Sequence, residues 1–106
     1  MSKPLRTEEE AERELEEALR WYEEKRPGLG AEFLSAVDDA LTQIRRLPNT
    51  GGRVPQVNPD LRVRRIPLKK FPYHVVYLET DDAIRVLAFA HDRRRPGYWL
   101  SRYERP

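Results

Sequence analysis

Between Pro4 and Pro27 the chain contains neither proline nor glycine, and its apolar residues fall on one helical face. Ala11, Leu15, Ala18, Leu19 and Tyr22 stand at i, i+4, i+7, i+8 and i+11, the spacing of an amphipathic helix. Thr7 followed by Glu10 has the form of a capping box at its start. Acidic residues crowd its first turns, and Lys25 and Arg26 its end, each where the helix dipole favours them. Pro27-Gly28 interrupts the run. Leu29, Phe33, Val37, Ala40, Leu41, Ile44 and Leu47 then repeat the spacing in a second helix, which ends over Pro48 to Gly52. Two helices joined by so short a turn pack antiparallel, as a hairpin. Tyr22 continues the apolar stripe and is expected on the core, while its neighbour Trp21, about 100° away around the helix, flanks it. Leu15, Leu19, Phe33, Val37, Leu41, Ile44, Val75 and Val86 form the expected buried set.

After a Pro-, Gly- and Asn-rich loop from Pro48 to Asp60, the period changes. Leu61 to Leu68, Phe71 to Glu79 and Ala83 to His91 are rich in valine, tyrosine and isoleucine and read as strands. Thr80-Asp81-Asp82 suits a hairpin connection between the last two. Pro67 and Pro72 lack a ladder donor and belong at strand ends. Lys3 to Arg6 could add a short extra strand, for which the sequence gives little support. From Arg93 the chain is a basic and aromatic tail with a helical turn near Pro96. The fold class is α+β, one domain over residues 1–106: an N-terminal antiparallel helical hairpin on one face of a small antiparallel sheet, with a short C-terminal tail.

Composition narrows the chemistry. There is no cysteine among the 106 residues, which excludes disulfides and cysteine-held zinc or iron–sulfur sites. No apolar run approaches the roughly 20 residues of a membrane span, and MSKPLRTEEE lacks an apolar signal segment, so a cytoplasmic protein with no membrane partner is expected. The net charge of +2 conceals an asymmetry. Residues 1–50 carry 8 Lys and Arg against 12 Asp and Glu, a net of −4, and residues 51–106 carry 12 against 6, a net of +6. The basic half is open to nucleic acid, to an acidic protein segment or to water.

Several motifs reduce to structure. Gly28-Leu29-Gly30 lacks the third glycine and preceding strand of a phosphate loop. His74 and His91 are not at a metal-ligand spacing, so neither a metal nor a cofactor is expected. Ser35 has no nearby histidine and is no nucleophile, and Glu8 to Glu17 read as a solvated helix face. The basic half is more informative, since His91, Arg93, Arg94, Arg95, Tyr98 and Trp99 fall within nine residues. Metal-free RNA cleavage needs a base, cations around the phosphorane and an acid for the leaving oxygen. His91 suits an acid or base, Arg65 and Arg93 charge stabilisers, and Tyr98 an acid or stacking platform. Arg62, Arg64, Lys69, Lys70, Arg93, Arg94, Arg95 and Trp99 equally suit a non-catalytic surface for a target or partner, with Arg62 and Arg64 on one sheet face and Arg65 on the other.

These residues carry a family likeness. Leu15-Glu16-Glu17-Ala18 with Trp21-Tyr22, then Pro27-Gly28-Leu29-Gly30 and Phe33-Leu34, resembles the helical hairpin of the RelE/ParE toxins of type II toxin–antitoxin systems. Ile44 with Leu47-Pro48, Val63-Arg64-Arg65, Phe71-Pro72-Tyr73 and Val76-Tyr77 continue the likeness. Val86-Leu87-Ala88-Phe89-Ala90-His91, followed by Arg93-Arg94, Pro96-Gly97 and Tyr98-Trp99, is similar to the family's C-terminal signature. The resemblance implies a growth-inhibiting toxin held silent by a cognate antitoxin, which alone would bring it to operator DNA. The long hairpin, Phe-Pro-Tyr and His-x-Arg-Arg resemble ParE-type and plasmid-stabilisation members, which implies a non-enzymatic inhibitor of DNA gyrase. The alternative is a RelE-like nuclease that cuts mRNA on the ribosome, with Arg65, His91, Arg93 and Tyr98 as its catalytic set. A third reading is a non-toxic protein that only binds its antitoxin. An acidic, amphipathic antitoxin segment is expected to cover the outer hairpin and reach the basic sheet.

Overall fold

The computed structural model describes residues 3–105. In chain order the elements are β1 (Leu5–Thr7), α1 (Glu9–Lys25), α2 (Leu29–Arg46), β2 (Gly52–Arg53), β3 (Val63–Pro67), β4 (Tyr73–Glu79), β5 (Ile84–His91) and α3 (Leu100–Tyr103). They form one five-stranded sheet in the order β1-β5-β4-β3-β2. The sheet is mixed rather than purely antiparallel, because β1 pairs parallel with β5, Leu5 against Ile84 and Thr7 against Val86.

That pairing also removes the expected capping box. Thr7 is the last residue of β1, the Glu8 N–H donates to Val86 O, and α1 begins at Glu9 with no side-chain cap. The hairpin turn is capped by a residue of α1 instead. The Glu23 carboxylate accepts from the Gly28 and Gly30 N–H groups at 3.0–3.1 Å, satisfying donors at the start of α2 that have no helical partner. Gly28 has φ +89°, the left-handed conformation that glycine adopts without a Cβ penalty. At Gly30 an added Cβ would lie 2.9–3.2 Å from Glu23 and Leu19, so the glycine is what lets the helices close at this end.

The hairpin buries its stripe on one face of the sheet. Ala11, Ala18, Phe33, Val37, Ala40 and Ile44 pack against Ile66, Val75, Tyr77, Ile84, Val86 and Phe89. Phe33, Val37, Ile44, Val75 and Val86 are buried as expected, whereas Leu15, Leu19 and Leu41 are half-buried at the margin and Leu47 is exposed. Tyr22 stacks with Phe33, Phe71 and Tyr73 at centroid distances of 4.9–6.3 Å, and Trp21 stands outside, 54% exposed.

The sheet's other face holds a second core. Val54, Val63, Val76, Leu78, Leu87, Ala88 and Ala90 are covered by the tail, which inserts Trp99 among them. A bulge makes this two-sided burial possible. Val76 pairs with Ala88 and Tyr77 with Val86, so Leu87 is the extra residue, and Leu87 and Ala88 both reach the tail side while Val86 and Phe89 reach the helices.

Chain ends meet across this assembly. Arg105 bonds Glu8 and Glu10, and Arg102 bonds Glu14, so part of the charge asymmetry is consumed within the molecule. The Arg105 hydrogen bond holds the Glu10 carboxyl down at about 2 against an ordinary 4.5. Because the folded value is the lower, the tie is complete above the ordinary carboxylate pKa and is lost as pH falls toward 2. Protection factors of the C-terminal amides, corrected for the intrinsic exchange rate at each pH, should therefore fall across that window before those of β4 and β5.

Candidate functional site

At the end of α1, between that helix and the sheet, lies a cavity of about 670 Å³. Its floor is Phe89 and Tyr73, its α1 wall Glu14, Glu17, Trp21 and Tyr22, and its tail wall His91, Arg94 and Tyr98. Register explains the floor: Tyr73 pairs with His91 across β4–β5, and their rings meet edge-on at 5.1 Å. The His91 Nδ1 accepts from the Arg93 N–H at 3.1 Å, which leaves its Nε2 as the nitrogen free for chemistry.

Tyr98 is differently placed from the expected acid. Its hydroxyl donates to Glu14 Oε2 at 2.6 Å, and burial together with that carboxylate pushes its pKa well above the phenol range. A proton so firmly held is a poor candidate for transfer to a leaving oxygen. Arg94 lies over the Tyr98 ring at 3.9 Å and Arg102 at 5.2 Å, so the ring face is already occupied by guanidinium groups.

Glu14 organises this corner, although Glu8 to Glu17 read from the sequence as a solvated face. Its Oε1 accepts from the Phe89 N–H at 3.2 Å and from Arg102 Nη1 at 2.9 Å, and its Oε2 from Arg102 Nη2 at 3.1 Å. Arg102 also donates to Leu87 O at 2.9 Å. β1 covers the β5 edge only as far as Val86. Beyond it the Glu14–Arg102 pair takes the donor and acceptor that a neighbouring strand would otherwise engage. Nothing local in the sequence signals this, because the partners are separated by 75 and 88 positions.

The four nuclease candidates are not brought together. His91 and Tyr98 share the helix-side cavity, whereas Arg65 pairs with Val76 on the tail-side face and lines a separate groove with His74 and Asp92. Arg93 is exposed and lines neither. Among the surface candidates, Arg62, Lys69, Lys70, Arg94 and Arg95 are exposed. Lys70 has a left-handed φ of 70° in the β3–β4 turn. Arg64 is directed instead to the Gly51 carbonyl, 2.8 Å away. Trp99, expected on a binding surface, is 1% exposed in the second core and is not part of one. Among the described residues no three His, Asp or Glu side chains converge as a metal site would require, and no helix is long and apolar enough to cross a membrane.

Against known proteins, this architecture has a counterpart. A solved chain from the chromosomal ParDE TA system from P. aeruginosa superposes with a TM-score of 0.70 at 16% identity, over 85% of this chain and 96% of that one. At that identity the likeness is one of fold. No curated protein matches the sequence. The family model of the ParE toxin of the type II toxin–antitoxin system parDE matches residues 5–96, from β1 through the start of the tail. The chain belongs to the ParE toxin family of type II toxin–antitoxin systems.

Proposed function

We propose that the chain is a growth-inhibiting toxin that acts on DNA gyrase in the cytoplasm without chemistry of its own and is neutralised by a cognate antitoxin. The observation that supports this reading over the ribosome-dependent nuclease is the separation of Arg65 from His91: His91 lies on the helix-side face, in a cavity it shares with Tyr98, and Arg65 on the other face. The exposed Arg62, Lys69, Lys70, Arg93, Arg94 and Arg95 are the proposed contacts to gyrase or antitoxin. An acidic antitoxin segment suits this basic pole. The outer hairpin groove suits it less well, since Glu16, Glu23 and Glu24 line it with Arg20 as its one cation.

Induction in cells, followed by gyrase supercoiling assays and primer extension on mRNA, tests the proposal. His91→Gln combined with Tyr98→Phe should leave growth arrest and gyrase inhibition largely intact, provided melting curves show the variant folded. Loss of arrest together with loss of ribosome-dependent mRNA cuts would establish the nuclease instead. No arrest on induction, with tight antitoxin binding, would leave only the partner-binding role.

A further inference from the structure

The cavity between α1 and the sheet is built mostly of aromatic rings. Trp21, Tyr22, Tyr73 and His91 form a contiguous row with neighbouring centroids 5.1–6.3 Å apart, and Phe89 and Tyr98 complete it. On α1, Glu14, Glu17, Ala18 and Trp21 share one helical face, and the small Ala18 leaves room between the carboxylates and the indole. The two carboxylates differ. Each Glu14 oxygen already accepts two hydrogen bonds, from the Phe89 N–H, the Tyr98 hydroxyl and the Arg102 guanidinium. Glu17 forms no ion pair among the described residues. Burial raises the pKa of the Tyr73 hydroxyl, and Glu14 and Glu17 raise it further, so the negative potential of both carboxylates reaches the cavity floor. The chain's own cations show what these rings attract. Arg94 lies 3.9 Å over Tyr98, and Lys25 Nζ lies 4.8 Å over Trp21.

We propose that this cavity binds a guanidinium group, stacked on the rings of its α1 wall and floor and paired with the Glu17 carboxylate. A guanidinium is planar, stacks on aromatic faces and donates in a fork that a carboxylate accepts two bonds at a time. It is also more weakly hydrated than an ammonium, so leaving water for an aromatic cavity costs it less. Arg94, the cation of the tail wall, is held over Tyr98 and leaves Trp21, Tyr22 and Tyr73 to the ligand. The group belongs either to a free guanidino compound or to an arginine side chain of a partner protein. The site does not depend on the toxin's cellular target.

The chain has two tryptophans, so its indole N–H NMR signals carry their own control. Titration of the full chain with methylguanidinium at millimolar concentration, or with an acetylated Gly-Leu-Arg-Leu-Gly peptide, should move the Trp21 signal. That of Trp99, buried in the second core, should stay in place. Tighter binding of the peptide assigns an arginine side chain, and tighter binding of methylguanidinium a free compound. Methylurea, and the peptide with citrulline in place of arginine, are planar but uncharged and should bind about tenfold more weakly or worse. Glu17→Gln should weaken binding about tenfold. Glu16→Gln, an equal charge loss on the outer hairpin groove, should not. Both glutamates are exposed, so neither change should disturb the fold. No gyrase, ribosome or antitoxin enters the measurement, so its failure would leave the reading of the target untouched. A Trp21 signal that does not move with either ligand, equal affinity for the uncharged analogues, or equal effects of Glu16→Gln and Glu17→Gln would overturn the proposal.

Discussion

Trp99→Ala should lower the free energy of unfolding by about 3–5 kcal/mol, as expected for deleting a fully buried indole. Trp99 is 1% exposed and packs with Val63, Val76, Leu87 and Ala90, so its removal leaves a cavity bounded by strands that cannot collapse inward. A domain of this size has roughly 5–15 kcal/mol in all, so the loss is a large part of the whole. Urea unfolding followed by far-UV circular dichroism measures it, with Trp99→Phe expected to lose less. The consequence extends beyond stability, because the tail that Trp99 anchors also presents Arg94 and Tyr98 to the helix-side cavity. A loss of unfolding free energy below about 1 kcal/mol would show that the tail is only loosely applied to the sheet.

Glu14→Ala is expected to cost about 3–5 kcal/mol, for a different reason. Its side chain and that of Arg102 are 17% and 12% exposed, and the substitution leaves a guanidinium shielded from water without its counter-ion. The Phe89 N–H and the Tyr98 hydroxyl lose their acceptor at the same time. Glu14→Leu combined with Arg102→Met should recover much of the loss, since apolar replacement of a whole buried pair is often neutral or stabilising. A double-mutant cycle reads the coupling directly. Additive single effects would mean that the two side chains do not support one another. The same cycle, read by hydrogen exchange at Phe89, reports whether the pair protects the β5 edge.

The amphipathic faces were legible because they are local. The spacing of Ala11, Ala18 and Tyr22 and that of Phe33, Val37 and Ile44 follow from 3.6 residues per turn, and the stripes point inward whatever lies beneath them. The strands were legible for the same reason, to within two residues at each start. Val63 begins β3 where the Asn58–Leu61 turn ends, and Tyr73 begins β4 after Pro72. The capping box at Thr7 failed because a strand pairing 79 positions away in register with Val86 competes for the same residue. Trp99 was misplaced because an aromatic among arginines has one composition whether it faces a ligand or a core. The continuous run Val86 to Ala90 likewise hides which face each residue takes, and the bulge at Leu87 decides it.

What the sequence determined by itself is the helical hairpin, the three long strands and the excess of positive charge in the second half, all set by periods and counts within short windows. Only the tertiary structure decided where that charge goes. It spends Arg102 and Arg105 on Glu14, Glu8 and Glu10, turns Trp99 inward, and divides His91 and Arg65 between opposite faces of one sheet. The physical reason is that ion pairs and sheet faces are fixed by strand register and by the path of the tail, which join residues up to 97 positions apart.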